Sequence, residues 1–404
     1  MSARIGGAYG WSHEQIALLF TFYVIFQSLG MLPGGMLIDR FGPRLSIGFS
    51  AVPASMGLFA LTLGPNFILV SSLWCLGSFF TGFIFIGTIS ITNKWFYDKR
   101  GVMIGLVAGA FSWGSVPFIF SIRAISLHAP VSALWHIIDI MTALISIVGV
   151  ISALFMKNPP LGWRVLNNNA SPASKSPMNR QYSVREALMT WRMWILIASF
   201  VLISGSGFSG VSKMVAYSNS FGFTAVAATA TAATGGIAVA NGFGKLITGV
   251  ISQRFGCENT MMVSFILSGI LLFLTILTGS QGSESMFVVC SIFGIFFWAS
   301  MFSLFPTIIG HYFGEAAAGG NCGILYAIAR GLGGIYGGVL SALLVDHKGF
   351  SFAMAIAGAM AVASGLILIP LKSRALPARQ REEGSGAERG EYVIAAETGT
   401  EVGE

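Results

Sequence analysis

Long apolar runs that follow one another along most of the chain constrain its fold more than any other feature. Each run is close to the roughly 20 residues that a helix needs to cross a bilayer. Backbone groups in lipid must be hydrogen-bonded within the protein, so such runs predict helices, and they lack the alternation of membrane β-strands. The sequence therefore predicts an all-α membrane protein with about eleven transmembrane helices, at residues 15–38, 45–64, 67–92, 102–125, 132–156, 193–217, 224–252, 259–279, 285–312, 319–345 and 350–371.

Composition excludes several classes of protein. With 54% hydrophobic and 10% charged residues, the 404-residue chain is too apolar for a soluble domain. The net charge of +7 comes mainly from loop cations, so we expect no nucleic-acid partner. No nucleophile–base pair or metal-ligand cluster stands out. We therefore expect no enzyme activity, catalytic residue, cofactor or metal site, and the separated cysteines are packing residues, namely Cys75, Cys257, Cys290 and Cys322.

The loop cations predict the orientation in the membrane. If the spans alternate, most loop cations lie on one face, which we call the cation-rich side; it includes Arg40, Arg44, Lys94, Lys99, Arg100, Arg254 and Lys372. Cytoplasmic loops carry the excess of Lys and Arg, so this side is expected to be cytoplasmic. That places residue 1 outside and the C-terminus in the cytoplasm. We expect a multi-pass protein of the plasma membrane.

Polar stretches divide the chain into four parts. Residues 1–156 are expected to form an N-terminal bundle, and residues 192–372 a C-terminal bundle of six helices. Between them, residues 157–191 are rich in Asn, Ser and Pro and predict a cytoplasmic connector. The tail, residues 373–404, contains many Gly and Glu residues and is expected to be disordered.

An internal repeat links the two halves. The first copy reads G-M-L-I-D-R-F-G-P-R from Gly35 to Arg44, and the second reads G-V-I-S-Q-R-F-G from Gly249 to Gly256. Repeated halves are typical of secondary transporters. We expect the glycines to allow close helix contact, the Asp to cap or pair, and the arginines to hold the neighbouring helix end, with Gln253 making the second copy weaker. The motif residues are Gly35, Asp39, Arg40, Gly42, Arg44, Gln253 and Arg254.

The first copy resembles the loop signature G-x-x-x-D-R-x-G-x-R of the major facilitator superfamily. Within it, the chain is most similar to the oxalate:formate antiporter group, near the monocarboxylate transporters. Further passages carry this resemblance: Y-G-W-S at Tyr9 to Ser12, K-W-F-Y-D-K-R-G at Lys94 to Gly101, N-G-F-G-K at Asn241 to Lys245, and the turns at Phe313–Gly314 and Asn321–Gly323. The resemblance implies two six-helix bundles around a central substrate site.

The chain departs from the family's usual arrangement at its start. In the family, the Y-G-W-S segment lies between helices one and two, whereas here it begins at Tyr9. We therefore expect a counterpart of the first helix to be absent and the eleven runs to correspond to helices two to twelve. Because the first helix normally lines the cavity, a non-transporting membrane protein that acts as a sensor or partner subunit stays an alternative.

Two cations inside apolar runs, Lys245 and Arg330, indicate a binding site. A charge in hydrocarbon costs about 3 kcal/mol or more, so such residues usually face a cavity or a ligand. Lys245 lies near enough to its helix end to snorkel toward water, whereas Arg330 lies near mid-span. The resemblance implies that both bind the substrate, since the antiporters clamp a dicarboxylate with an Arg and a Lys at these places. Here the two identities are exchanged.

Aromatic residues and one acid complete the predicted site. Trp298 and Phe302 are four residues apart and share a helix face; the resemblance implies that they box the substrate, with Tyr326 as a further candidate. Asp139 is a candidate for proton coupling, or for pairing with a buried cation or with Lys213. Ordinary packing is the alternative for the aromatic residues.

These features predict a secondary active transporter of small carboxylate anions that works by alternating access. Oxalate/formate-like exchange and proton symport are both open, and a lactate or pyruvate transporter is the alternative. The expected partners are a small organic anion, the lipid bilayer and, for symport, protons.

Overall fold

The computed structural model describes residues 2–96, 98–121, 131–160, 181–223 and 226–373. Within these ranges every regular element is helical. Ten helical segments are long and apolar enough to span a membrane. Residues 226–252 of the predicted run at 224–252 lie in a further helix of 30 residues. The prediction of an all-α membrane protein with about eleven spans is confirmed.

The helices are numbered in chain order. They are α1 (Ser2–Tyr9), α2 (His13–Phe41), α3 (Pro43–Phe59), α4 (Phe67–Trp95), α5 (Arg100–Trp113), α6 (Val131–Phe155), α7 (Val184–Leu188), α8 (Trp191–Ser220), α9 (Val226–Phe255), α10 (Cys257–Ser280), α11 (Glu284–Ala299), α12 (Met301–Phe313), α13 (Ala318–Ile335), α14 (Ser341–Lys348), α15 (Phe350–Leu366) and α16 (Ile369–Ser373).

Two predicted spans contain interruptions that periodicity did not show. The run at 285–312 comprises α11 and α12, which meet at Ser300. The run at 319–345 passes from α13 through a π-helical turn, Tyr336–Leu340, into α14. Such turns widen a helix locally and often occur near functional sites. Apolar composition continues through both interruptions, so the sequence reads each as a single span.

The predicted connector contains an ordered part. Ser183 caps α7, and the side chain of Glu186 in turn accepts a hydrogen bond from the Ser183 backbone N–H. The Tyr182 N–H donates to the carbonyl of Phe313 at 3.0 Å, which ties this segment to the C-terminal bundle. Of the tail predicted to be disordered, Ser373 is the last residue of α16, and residues 374–404 lie outside the described ranges. Connector residues 161–180 also lie outside them.

The repeated motif builds the same turn twice. Gly42 joins α2 to α3 with φ of 81°, and Gly256 joins α9 to α10 with φ of 86°. Glycine adopts this left-handed conformation without the steric cost of a Cβ atom. In each copy the preceding arginine lies over the neighbouring phenylalanine, at 5.3 Å for Arg40 and 5.8 Å for Arg254. The repeat is therefore present in the structure as well as in the sequence.

The two bundles contact each other at Gly35 and Gly249, the first glycine of each motif copy. A Cβ atom at Gly35 of α2 would overlap the carbonyl oxygen of Gly319 in α13. In the other pair, a Cβ atom at Gly249 of α9 would overlap the carbonyl oxygen of Gly101 in α5. Small residues allow this backbone approach, so α2–α13 and α5–α9 are equivalent contacts between the halves.

The first crossing yields a test of stability. Gly35→Ala should lower the unfolding free energy by about 1–3 kcal/mol, because the added methyl group must separate two backbones. The measurement is the thermal unfolding of the purified protein in detergent. Gly48→Ala is the matched control, since its Cβ would meet only the Ala153 Cβ atom at an ordinary 3.5 Å. Equal melting temperatures for both variants would contradict the close crossing.

Candidate functional site

A cavity of about 150 Å³ lies between the two bundles. The N-terminal bundle contributes Gln27, Met31, Phe85, Phe111 and Ser112 to its lining. The C-terminal bundle contributes Phe208, Asn241, Lys245, Trp298, Phe302 and Arg330. Four of the five predicted substrate residues therefore line one space, although they come from three separate spans. Ligand sites between the repeats of a transporter are common because the two halves move relative to this interface.

Arg330 enters the cavity from α13 and is 7% exposed. Its Nη1 donates a long hydrogen bond of 3.4 Å to Ser28 Oγ, and its guanidinium lies 5.4 Å from the Phe208 ring centroid. Its Nε is buried and has no hydrogen-bond acceptor among the described residues. A guanidinium carries five N–H donors. Most of its donor capacity is thus free for a ligand in the cavity.

Lys245 enters from α9 and is 3% exposed. Its Nζ donates to the Ala108 carbonyl at 3.1 Å and to Ser112 Oγ at 2.7 Å. The ammonium also lies 4.8 Å from the ring centroid of Phe302, a favourable cation–π distance. In the described part of the chain, neither Lys245 nor Arg330 lies within 4.0 Å of a carboxylate. Snorkelling does not explain Lys245, since its ammonium is inside the protein.

Two of the predicted aromatic residues, Trp298 and Phe302, form an aromatic wall of the cavity, whereas Tyr326 packs behind them. Trp298 and Phe302 contact edge to face, with ring centroids 5.6 Å apart, although the helix breaks between them. Trp298 Nε1 donates to the Ile203 carbonyl at 2.9 Å, which fixes the indole. Tyr326 differs from its prediction: it is fully buried outside the lining, and its hydroxyl donates to the Phe302 carbonyl at 3.4 Å. Tyr326 therefore supports the backbone of Phe302 from outside the cavity.

Asp139 is not placed where the sequence suggested. It lies on α6 with its side chain exposed, and it does not belong to the lining of the cavity. Lys213, its other suggested partner, donates instead to the Gly338 carbonyl at 3.4 Å. The apolar run around Asp139 suggested depth in the bundle, but a run does not show which helix face turns inward.

The motif residue Asp39 forms a latch between the bundles on the cation-rich side. Its Oδ1 accepts from Lys94 Nζ at 2.8 Å, and each of these side chains is 14% exposed. Its Oδ2 accepts from the backbone N–H of Gly320 at 2.8 Å, in the first turn of α13. A carboxylate is favoured there by the free N–H groups and the helix dipole. The acid therefore joins α2 and α4 to α13.

A second latch was missed by the sequence reasoning. Buried Arg100, at the start of α5, donates to the Gly310 carbonyl at 2.9 Å and forms an ion pair with Glu315. The motif arginines Arg40 and Arg44 are instead exposed, and Gln253 is half-buried. The expectation was that the motif arginines hold a neighbouring helix end. In the structure Lys94 and Arg100, from the K-W-F-Y-D-K-R-G passage, make these contacts instead.

Several polar cavity residues were also missed. Gln27 donates to the Tyr23 hydroxyl at 3.1 Å, and its Oε1 has no donor among the described residues. Ser112 donates to Asn241 Oδ1 at 2.8 Å. Their signal in the sequence was a polar side chain inside an apolar run, which is weak because many serines in these spans bond only to their own helix.

Comparisons with known proteins agree with this architecture. The sequence profile described as Major Facilitator Superfamily matches residues 1–337 and 227–396. The chain is 25% identical to the oxalate:formate antiporter of Oxalobacter formigenes over 371 residues, which cover 90% of this chain and 85% of the antiporter. It is 22% identical to an uncharacterised MFS-type transporter of Escherichia coli K12, over 80% of this chain and 77% of that protein.

Solved structures show the same fold at low sequence identity. The proton:xylose symporter XylE superimposes with a TM-score of 0.71 at 13% identity, covering 91% of this chain and 90% of the symporter. The human organic anion transporter MFSD10 superimposes with a TM-score of 0.67, also at 13% identity, covering 91% and 88%. Both likenesses concern the arrangement of helices.

The Asp39 latch can be tested with a native reporter. Cys322 is buried in α13, two residues after Gly320. With the other cysteines replaced by serine, Asp39→Asn should raise the rate of Cys322 labelling by a maleimide about tenfold. Lys94 loses its charged partner, and a neutral amide is a weaker acceptor than a carboxylate for the Gly320 N–H. Glu14→Gln, an exposed acid at the opposite end of α2, is the control. An unchanged rate for Asp39→Asn would contradict the latch.

Proposed function

The chain belongs to the Major Facilitator Superfamily of membrane transporters, and from that premise we propose that it carries small carboxylate anions by alternating access. In this mechanism the two bundles rock around a central site, which opens to one side of the membrane at a time. The glycine crossings and the Asp39 latch close the cation-rich side in this conformation. Opening that side requires both to separate.

The observation that carries the proposal is Arg330, a buried guanidinium with unused donors at a cavity. A buried charge without a counterion is costly in a medium of low polarity, and a ligand with the opposite charge removes this cost. Lys245 brings a second positive charge to the same space. The site therefore favours an anion over a sugar or a cation.

The chemistry of the two cations favours carboxylates. Arginine can hold a carboxylate through two parallel hydrogen bonds, whereas lysine acts as a point charge. A volume of about 150 Å³ is below the roughly 300–1,000 Å³ of pockets for drug-sized ligands, so the substrate is small. The aromatic wall of Trp298 and Phe302 covers its apolar faces. Oxalate and formate fit these requirements, and a similar antiporter is named for them.

Exchange is the favoured coupling. With both cations buried, moving the empty site through the membrane leaves two charges without counterions, and a bound anion reduces this penalty. Asp139 is exposed, so we assign it no part in proton coupling. Lactate or pyruvate stays the alternative substrate class, because one carboxylate would engage Arg330 alone. We place the cation-rich side and the C-terminus in the cytoplasm, and the protein in the plasma membrane.

Transport in reconstituted proteoliposomes tests the proposal. Wild-type protein should take up labelled oxalate, formate, lactate or pyruvate when the vesicles contain an unlabelled anion. Arg330→Ala should abolish this uptake, because the guanidinium that binds the first carboxylate is lost. Lys348→Ala is the control, since it removes the same charge from an exposed position in the same span. Full uptake by Arg330→Ala would exclude the clamp, and no uptake of any of the four by wild type would favour a non-transporting protein.

A further inference from the structure

The two cavity cations differ in how well the protein satisfies them. Lys245 donates to two neutral acceptors on α5, the Ala108 carbonyl and Ser112 Oγ, so two of its three N–H groups are used. Arg330 makes one long hydrogen bond and keeps most of its five donors. The site therefore contains one cation, Arg330, with donors available to a ligand, and a second cation, Lys245, whose position is already set by its neighbours.

Ser112 and Asn241 fix that position from both bundles. Ser112 Oγ accepts from Lys245 Nζ at 2.7 Å and donates to Asn241 Oδ1 at 2.8 Å. Because an ammonium cannot accept a hydrogen bond, the hydroxyl proton of Ser112 must point to another acceptor, and Asn241 provides it. Asn241 lies one turn before Lys245 on α9, whereas Ser112 belongs to α5 of the other bundle.

We propose that Ser112 and Asn241 are positioning residues, which hold the Lys245 ammonium so that its remaining N–H faces the cavity. We call the two hydrogen bonds that link Asn241, Ser112 and Lys245 the relay. The relay would give the site its preference for anions with two carboxylates over anions with one. The inference rests on the proposed carboxylate function and goes beyond it, because it assigns the preference to two neutral side chains that need not touch the substrate.

The physical reason is the flexibility of lysine. A free lysine side chain samples many rotamers, and the entropy lost in ordering it reduces the benefit of any contact that it makes. The relay orders the ammonium before the anion arrives. Arg330 can hold the first carboxylate by itself, so only the second carboxylate depends on this ordering. A monocarboxylate gains little from it.

Binding of two matched anions to the purified full chain tests the inference. Oxamate has the shape of oxalate with an amide in place of one carboxylate. In calorimetric titrations, Ser112→Ala should raise the Kd for oxalate about tenfold and the Kd for oxamate by less than about threefold. Ser112→Thr, which keeps the hydroxyl, should restore oxalate binding. Asn241→Ala should cause the same selective loss, since it removes the acceptor that orients Ser112.

The matched control is Ser115→Ala. Ser115 is exposed in the turn that follows α5, and its hydroxyl donates only to the Ser112 backbone carbonyl at 2.7 Å. It should leave both dissociation constants unchanged. Equal losses of oxalate and oxamate in Ser112→Ala, or no loss of either, would overturn the relay while the carboxylate function stands. Wild-type protein that binds neither anion would overturn both.

Discussion

Two positive charges buried at the interface between the bundles, without a carboxylate within 4.0 Å in the described part of the protein, are the constraint on which the site depends. Placing a charge inside a membrane protein costs about 3 kcal/mol or more. Neutral groups offset part of this cost for Lys245, and few do so for Arg330. This remaining imbalance of charge is the reason for proposing a small anion as the ligand of the cavity.

The contacts around this site bear on the proposed rocking of the two bundles. The bundles meet through glycine crossings, through ring contacts such as that of Phe85 with Phe302, and through polar latches on the cation-rich side. Hydrogen bonds and ion pairs of this kind can be exchanged for water at the membrane surface at modest net cost. Rocking of the bundles in the proposed mechanism must also separate the apolar contacts between them, such as that of Phe85 with Tyr326.

The particular residues show which placements in the structure could be expected from the sequence. Arg330 and Lys245 were found because a charge in an apolar run is rare and costly. Trp298 and Phe302 followed from helical spacing and family resemblance. Tyr326 and Asp139 lie elsewhere than expected. A small rotation about the helix axis is enough to turn a lining residue into a buried support, as for Tyr326, or into an exposed residue, as for Asp139. Arg100 and Ser112 were missed, since their partners lie far away in the chain.

By itself, the sequence determined the membrane-spanning helices, the repeat and the two central cations. Each follows from a local rule: the length of an apolar run, a glycine turn, or the cost of a buried charge. Only the tertiary structure decided which side chains share the cavity, which acid caps α13, and which hydroxyl holds Lys245. Those outcomes depend on the rotation and crossing of helices from opposite halves, which packing of the whole bundle fixes and local periodicity does not contain.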